Sequence, residues 1–296
     1  MRSCLKVLIV LTLLSSNANA EGYFSASVGG DYSTGDYGTD SSTDVWYVPF
    51  TASYQAGAFT YKVTVPWIRV TGDGGVVPSG FGGSGASSTS PTSQVVCVKP
   101  PSGPGSGRRV CTTVVTPGVT TPGIPPTTAT TSSRTSESGL GDIVAAATYN
   151  AYNGGEQGFV VDFSGRIKFG TASESKGLGS GENDYAIQAN IDKNFGPAYA
   201  SVGLGYKWLG EPPGANYRNI VYGSLGGGYN FTPKFSAGVS YDWATVAVRG
   251  AAKPQEVSVY GGYRINDHYK INGVLYTGLS NASSDIGGGL TLNYSF

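Results

Sequence analysis

Apolar and polar residues alternate along most of the chain with the two-residue period of a β-strand. Between 159 and 169, an apolar row that includes Phe159 and Phe163 faces away from a polar row that includes Asp162 and Arg166. Turn residues separate this segment from others of the same kind. Twelve such segments can be counted, at 24–32, 46–55, 59–67, 142–150, 159–169, 185–192, 201–208, 220–231, 235–243, 257–265, 269–276 and 286–296. In the eighth of these, glycine is so frequent that the pattern does not decide which residues face outward.

The connections between these segments are short and long in turn. The short ones lie at 56–58, 153–157, 194–197, 232–234 and 266–268, and the others, mostly longer, lie at 33–44, 71–137, 172–184, 210–218, 246–254 and 280–284. Bacterial outer-membrane barrels have an even number of strands, short periplasmic turns and longer extracellular loops. The sequence therefore predicts an all-β fold, a transmembrane antiparallel up-and-down β-barrel of 12 strands with one long extracellular loop.

Both ends of the chain carry features of export to an outer membrane. Arg2 and Lys6 precede an apolar run at 7–14, and small residues at 18–20 complete a secretory signal peptide. We therefore expect residues 1–20 to be a signal peptide and 21–296 to be the barrel, in the outer membrane of a Gram-negative-type cell. Outer-membrane lipid and lipopolysaccharide are then its surroundings. Phe296, which ends the last alternating strand, resembles the terminal aromatic signal that such proteins present to the barrel assembly machinery.

Composition excludes several classes of function. The chain has 46 Gly and 20 Tyr, only 13% charged residues and a formal net charge of zero, which fits a barrel and offers no basic surface for nucleic acid. His268 is the single histidine and falls in a predicted periplasmic turn, which is the wrong place for a catalytic base. The residues show no metal-binding pattern and no cofactor motif. We therefore expect a protein that is not an enzyme and that binds neither a metal nor a cofactor.

The connection 71–137 is rich in Gly, Pro, Ser and Thr and has no strand period. It contains Cys97 and Cys111, and an even pair of cysteines in an oxidising compartment predicts one disulfide bond. Two interpretations of this long loop remain open. It could be a constriction loop or anion-attracting lid that holds three basic residues near the disulfide, or a flexible surface loop.

Strand parity turns a set of charged side chains toward the interior of the barrel. These pore-lining candidates are Lys62, Asp142, Asp162, Arg166, Lys168, Asp192, Lys207, Asp242, Arg264 and Lys270, with Glu256 beside them. They could line a water-filled channel or form a salt-bridged plug, because twelve strands lie between the filled small barrels and the open porins. The balanced signs argue against strong selectivity for anions or cations.

Several short motifs resemble one family of outer-membrane barrels. They are Ser138-Gly139-Leu140-Gly141-Asp142-Ile143-Val144, Tyr47-Val48-Pro49-Phe50 and Val63-Thr64-Val65-Pro66-Trp67. The chain thereby resembles the family named for the MetA-pathway of phenol degradation. The resemblance implies passive uptake of a small-molecule solute, with aromatic compounds among the candidates, although the predicted lumen shows no aromatic ladder. The alternative function is a non-conducting barrel that displays the 71–137 loop.

Overall fold

A computed structural model describes residues 22–37, 41–72, 93–98, 110–115, 135–155, 158–212, 216–248 and 251–296, the two short ranges 93–98 and 110–115 by their backbone alone. The predicted signal peptide lies outside the described residues. In the part of the chain that is described, no helix is long and apolar enough to cross a membrane.

Strands make up nearly all of the described structure. They are β1 Tyr23–Gly35, β2 Thr43–Ala56, β3 Phe59–Gly72, β4 Ser93–Val98, β5 Val110–Val115, β6 Thr135–Leu140, β7 Ile143–Asn153, β8 Phe159–Phe169, β9 Asp184–Phe195, β10 Ala198–Trp208, β11 Ile220–Asn230, β12 Phe235–Ala244, β13 Gln255–Arg264, β14 Tyr269–Gly278 and β15 Ile286–Ser295. Every neighbouring pair is antiparallel, and β1 pairs with both β2 and β15, which closes the ring. The predicted barrel of twelve strands, β1–β3 and β7–β15, is confirmed.

The strand predicted at 142–150 begins earlier than the sequence pattern indicates. β3 continues to Gly72 and its last residues pair with β6, so the connection between them is 73–134 and the predicted bounds 71–137 are too wide. Trp67 pairs with Leu140 and Thr64 pairs with Val144. Two residues of β3 therefore lie opposite three residues at the junction of β6 and β7, which is one more than regular pairing allows. Such a β-bulge re-aims side chains.

Within the long connection, β4 and β5 form a separate two-stranded hairpin. Their register places Cys97 directly opposite Cys111. Opposite residues of an antiparallel pair have the Cα separation that a disulfide bond needs. The backbone is therefore compatible with the predicted disulfide, which stays a prediction.

The exterior of the barrel is apolar. Leu225, Leu275 and Leu290 are between 61% and 69% exposed, and 34 further large apolar side chains of the described residues are also exposed. A soluble protein rarely leaves so much contiguous apolar surface in water, whereas lipid chains would cover it. Leu225 also settles the facing of the eighth predicted segment, because its neighbours Ile220 and Tyr222 on the other face are buried.

Aromatic residues gather where the strands end. At the end with the short turns, which we call the short-turn end, Phe296 contacts Phe24 and Tyr294 with ring centroids 5.5 and 4.8 Å apart. Near the opposite, long-loop end, the exterior carries all four tryptophans of the chain, with Trp46 beside Tyr32. Aromatic girdles of this kind mark the two interfaces of a bilayer.

Candidate functional site

The polar face of the barrel strands is directed into the lumen and carries the charges. Seven of the charged residues singled out from sequence are buried there, and they are Asp142, Asp162, Lys168, Asp192, Lys207, Asp242 and Glu256. Lys62, Arg166, Arg264 and Lys270 lie on the same face and are partly exposed. The charges do not form one network but divide into groups of different structure.

Lys168 is the centre of the first group. Its Nζ lies 3.1 Å from Asp142 Oδ2 and 3.2 Å from Asp184 Oδ2, with all three side chains nearly inaccessible. The ammonium also donates to Ser180 Oγ at 3.2 Å. Lys207 pairs with Ala186, two residues from Asp184 on the same face, so a second ammonium stands beside this group. A buried ion pair tolerates its burial only when the remaining oxygens are hydrogen-bonded.

Those remaining oxygens hold a loop inside the barrel. Asp142 Oδ1 accepts hydrogen bonds from the backbone N–H of Thr171 at 3.0 Å and of Ala172 at 2.9 Å. Both residues belong to the β8–β9 connection, 170–183, which we call the inserted loop. Asp184 Oδ1 accepts from Gly210 N at 2.9 Å and so ties down the start of the next long-loop connection.

Leu178 anchors the inserted loop by apolar contact. It is 1% exposed and belongs, with Ala172, to a buried cluster with four side chains of the lumen wall. These wall residues are Val45, Tyr47, Ile68 and Val70 on β2 and β3. The sequence Gly177-Leu178-Gly179-Ser180-Gly181 lets the loop double back, because Gly177 and Gly181 have φ of +65° and +72°. The loop that enters the lumen in the described structure is thus 170–183, which sequence reasoning did not single out.

The bulge between β6 and β7 explains the Gly-Leu-Gly-Asp motif. It turns Gly141 and Asp142 inward together, so the carboxylate meets the inserted loop. A Cβ on Gly141 would collide with Ile68 and Pro66, and one on Gly139 would lie 2.9 Å from Leu178. A side chain at Gly141 would therefore press on β3, and one at Gly139 on the inserted loop.

A second group of charges is acidic and lies across the barrel. Asp242 and Glu256 are direct cross-strand partners on β12 and β13, and Tyr276 on β14 donates to Asp31 Oδ1 at 2.7 Å. Ser240 Oγ donates to Asp242 Oδ2 at 2.8 Å. We call Asp31, Asp242 and Glu256 the acidic wall.

The acidic wall faces a group of four cations, which we call the basic wall and which also contains the Asp142 and Asp184 carboxylates paired with Lys168. Arg166 and Lys168 lie on β8, with Lys62 on β3 and Lys207 on β10 to either side. In the closed order of twelve strands, five strands separate β8 from β14 in both directions, so the two walls are on opposite sides of the lumen. Arg166 donates to Gln188 Oε1 at 2.9 Å, which fixes its guanidinium against the basic wall.

Tyr37, in the first long-loop connection, covers the acidic wall from above. It is 5% exposed, contacts Ser33 Oγ through its hydroxyl at 3.0 Å and has a positive φ of 49°, which is strained for a tyrosine. Burial, together with Glu256 and Asp31, raises the pKa of the Tyr37 phenol above its ordinary value. The phenol is therefore a neutral cap over carboxylates.

Tyrosines inside the lumen lie over glycines of the neighbouring strand. Four cross-strand pairs show this arrangement, Gly205–Tyr222, Gly228–Tyr199, Gly238–Tyr260 and Gly287–Tyr276, and a Cβ on any of these glycines would overlap the ring or hydroxyl of its partner. Aromatic side chains laid over glycine pin the register of a sheet. With Tyr47 on β2, the lumen contains five buried tyrosines, an aromatic lining that the sequence analysis missed.

The remaining predicted residues occupy the half of the lumen near the short turns or the turns themselves. Asp162 accepts from Asn150 Nδ2 at 2.7 Å, and Arg264 is the cross-strand partner of Lys270. His268 lies in an exposed turn with Nδ1 2.8 Å from Ser295 O. Within the described ranges, no group of three or more His, Cys, Asp or Glu is placed to hold a metal ion.

Solved structures that match this chain include outer-membrane channels. The COG4313 outer membrane channel from Pseudomonas putida F1 is 13% identical, with a TM-score of 0.60, over 95% of this chain and 99% of that chain. The KdgM porin is 11% identical at a TM-score of 0.46 over 91% and 99%. The toluene transporter TodX from P. putida is 11% identical at 0.40 over 96% and 92%. The first of these likenesses shows the fold.

No curated protein matches the sequence. One family model does, and it covers residues 27–296, which is the whole barrel except the first four residues of strand β1. The resemblance expected from the motifs is confirmed. The chain belongs to the family described as "Putative MetA-pathway of phenol degradation".

Proposed function

We propose that this protein is an outer-membrane channel through which small molecules enter the cell by passive diffusion. The observation that supports it most directly is the charged lumen, with an acidic wall opposite a basic wall inside a closed barrel whose exterior is apolar. Opposed charges create a transverse field that orients a polar solute as it passes. A barrel that only anchored a surface loop would have no use for such a field.

The inserted loop supplies the constriction of this channel. It enters from the long-loop end and is held by the Asp142–Lys168–Asp184 ion pairs and by Leu178. By the loop rule of bacterial barrels this end faces the outside of the cell. The solute therefore meets the inserted loop first and the two charged walls directly beside it.

Small aromatic compounds are the substrate class that we propose. The family description concerns phenol degradation, and the lumen carries five buried tyrosines whose rings can contact an aromatic solute. Liposome swelling in isotonic sodium benzoate, compared with sodium gluconate, tests this choice. Faster swelling in benzoate is expected, and equal rates would contradict an aromatic preference.

Conductance in a planar bilayer tests the channel itself. Discrete conducting steps are expected, and Arg166→Ala shifts the reversal potential in a salt gradient toward cation preference because it removes a lumen cation. Arg69→Ala is the matched control, since Arg69 is exposed on the outside of β3 and bonds Ser136 there. A silent bilayer with folded protein, shown by its electrophoretic shift on heating, would refute the proposal.

A non-conducting display barrel is the second candidate. The β4–β5 hairpin favours it, because it stands in the long connection and places Cys97 opposite Cys111. A disulfide bond there would give that connection a fixed element for a partner to bind. Mass spectrometry of the folded protein with and without reductant is expected to show a difference of two hydrogens, and free thiols in the unreduced protein would exclude the bond.

Two parts of the chain, residues 1–20 and Phe296, support a proposal about export and assembly. We propose cleavage before Glu21 and recognition of Phe296 by the assembly machinery, with lipopolysaccharide around the outer rim. Phe296 is 67% exposed, and its backbone N–H donates to Phe24 O at 3.0 Å, so its ring is available at the seam of the barrel. Phe296→Ser is expected to lower the yield of assembled barrel in cells while leaving unassisted refolding in detergent unchanged.

A further inference from the structure

Asp192 differs from the other interior carboxylates. Both of its oxygens are buried and have no hydrogen-bond partner among the described residues, and the residue is only 8% exposed. It faces the lumen from β9, opposite Ser201 of β10. A charged group removed from water without a partner is costly, and such groups inside membrane proteins mark functional sites.

The lack of hydrogen-bond partners is not shared by the neighbouring carboxylates of the lumen. Asp142 has two backbone N–H donors and an ion pair, Asp162 has the Asn150 amide and Asp242 has the Ser240 hydroxyl. Each of these carboxylates therefore accepts from at least one donor within the protein. Asp192 alone of the four accepts from none among the described residues.

Two tyrosines stand beside this carboxylate. Tyr199 is a diagonal neighbour of Asp192 across β9 and β10, and it shares one rung with Gly228, Gly238 and Tyr260 on the next three strands. Tyr260 donates its hydroxyl to Gly227 O at 3.3 Å, and the buried hydroxyl of Tyr199 interacts with that of Tyr260. Asp192 acts electrostatically on both phenols. We call Asp192, Tyr199 and Tyr260 the Asp192 site.

The chemistry of the site selects a cationic ligand. A carboxylate whose two oxygens have no partner requires donors, and a primary ammonium brings three N–H donors and the opposite charge. Aromatic rings beside it attract the same cation through their π faces. Asp162, which lies diagonally across β8 and β9, adds negative charge to the surroundings.

We propose that the Asp192 site binds the primary ammonium group of a small organic cation inside the lumen. A Ca²⁺ ion would require six to eight oxygen ligands, more than this site offers. A role for the site in transport rests on the proposed channel function. Binding of the cation does not, because it requires only a folded barrel.

The test is isothermal titration calorimetry of the refolded, full-length protein in detergent micelles, with benzylammonium chloride as the probe. Asp192→Asn is expected to weaken binding by about tenfold or more, since a charge-assisted hydrogen bond and an ion pair are lost together. Asp267→Asn makes the same chemical change in an exposed turn at the same end and is expected to bind like the parent protein. Tyr199→Phe, which removes only the hydroxyl, weakens binding by about two- to fivefold.

Two further measurements distinguish a ligand-binding role of Asp192 from a purely structural one. Asp192→Asn is expected to raise the urea concentration at which the empty barrel unfolds, because it removes an unpartnered buried charge. A purely structural carboxylate would show the opposite shift. Benzyl alcohol, the neutral counterpart of the probe, is expected not to bind.

Three results would overturn the inference. They are no heat of binding with the parent protein, equal affinity in the parent and Asp192→Asn, and equal binding of benzyl alcohol. The last two would mean that micelles or apolar surface take up the probe. Bilayer recordings judge the channel separately, so a silent bilayer with normal calorimetry would remove the channel and keep the site.

Discussion

The position of the inserted loop depends on Leu178, and Leu178→Ala tests this directly. The side chain is 1% exposed and packs into the cluster formed by Val45, Tyr47, Ile68 and Val70. Alanine keeps the backbone but removes most of that apolar contact. The hydrogen bonds from Thr171 and Ala172 to Asp142 and from Lys168 to Ser180 are then the main remaining attachments of the loop.

The size of the effect follows from the buried surface. Full burial of a leucine side chain stabilises the buried state by about 1.5–3 kcal/mol relative to exposure. When the leucine is exposed only as the loop leaves the lumen, its loss raises the equilibrium constant for leaving by roughly 10- to 150-fold. The barrel strands are not part of this equilibrium and keep their stability.

Hydrogen exchange followed by mass spectrometry measures that equilibrium. Peptides that cover 170–183 are expected to exchange faster by about the same factor, while peptides from β8 and β9 exchange as before. Leu275→Ala is the matched control, because Leu275 is 69% exposed on the lipid side. Unchanged exchange in the loop would refute the docking of Leu178, and faster exchange throughout would show that the whole barrel had been weakened.

Two other substitutions test the ion pairs and the glycine–tyrosine pairs. Lys168→Met leaves two buried carboxylates without their cation and is expected to cost about 3 kcal/mol or more in the free energy of unfolding, measured by urea titration, whereas Lys176→Met at an exposed position costs little. Gly205→Ala adds a Cβ that overlaps the Tyr222 ring and is expected to reduce the yield of refolded barrel. Gly165→Ala on β8, where a Cβ meets nothing within 4 Å, is its control and is expected to refold normally. Equal effects within either pair of substitutions would contradict the packing described for it.

The sequence predicted the barrel because the alternation within each strand shows which of its side chains face the lumen and which face the lipid. Alternation is a local signal, so the twelve strands and the inward charges on β8 could be read before any contact was known. Where the alternation did not decide the facing of a strand, the cause was also local. The glycines of β11 left its facing open, and only the burial of Ile220 and Tyr222 decides it.

The inserted loop could not be predicted in the same way. Leu178 and Asp142 are separated by 36 positions, and nothing in the glycine-rich loop sequence indicates which residues of the lumen wall it contacts. Strand parity predicted that Asp142 faces inward, but the bulge that turns Gly141 inward beside it becomes visible only when the pairing of β3 with both β6 and β7 is known. The glycine–tyrosine pairs likewise need the register between strands, although the tyrosines on the inward face gave a signal that an aromatic lining was present.

The seam between the first and last strands has a consequence for how the protein is made. Ser25 pairs with Ser295 and Thr34 with Ile286, so the ring cannot close before the last residues of the chain have been synthesised. Contacts between such distant residues form slowly, because the entropy of a very large loop must be overcome first. Until then both edge strands have unpaired backbone groups that favour aggregation. The interval before the seam closes is therefore the stage at which this fold is most exposed to aggregation, and premature compaction would be a greater hazard than loss of any single contact.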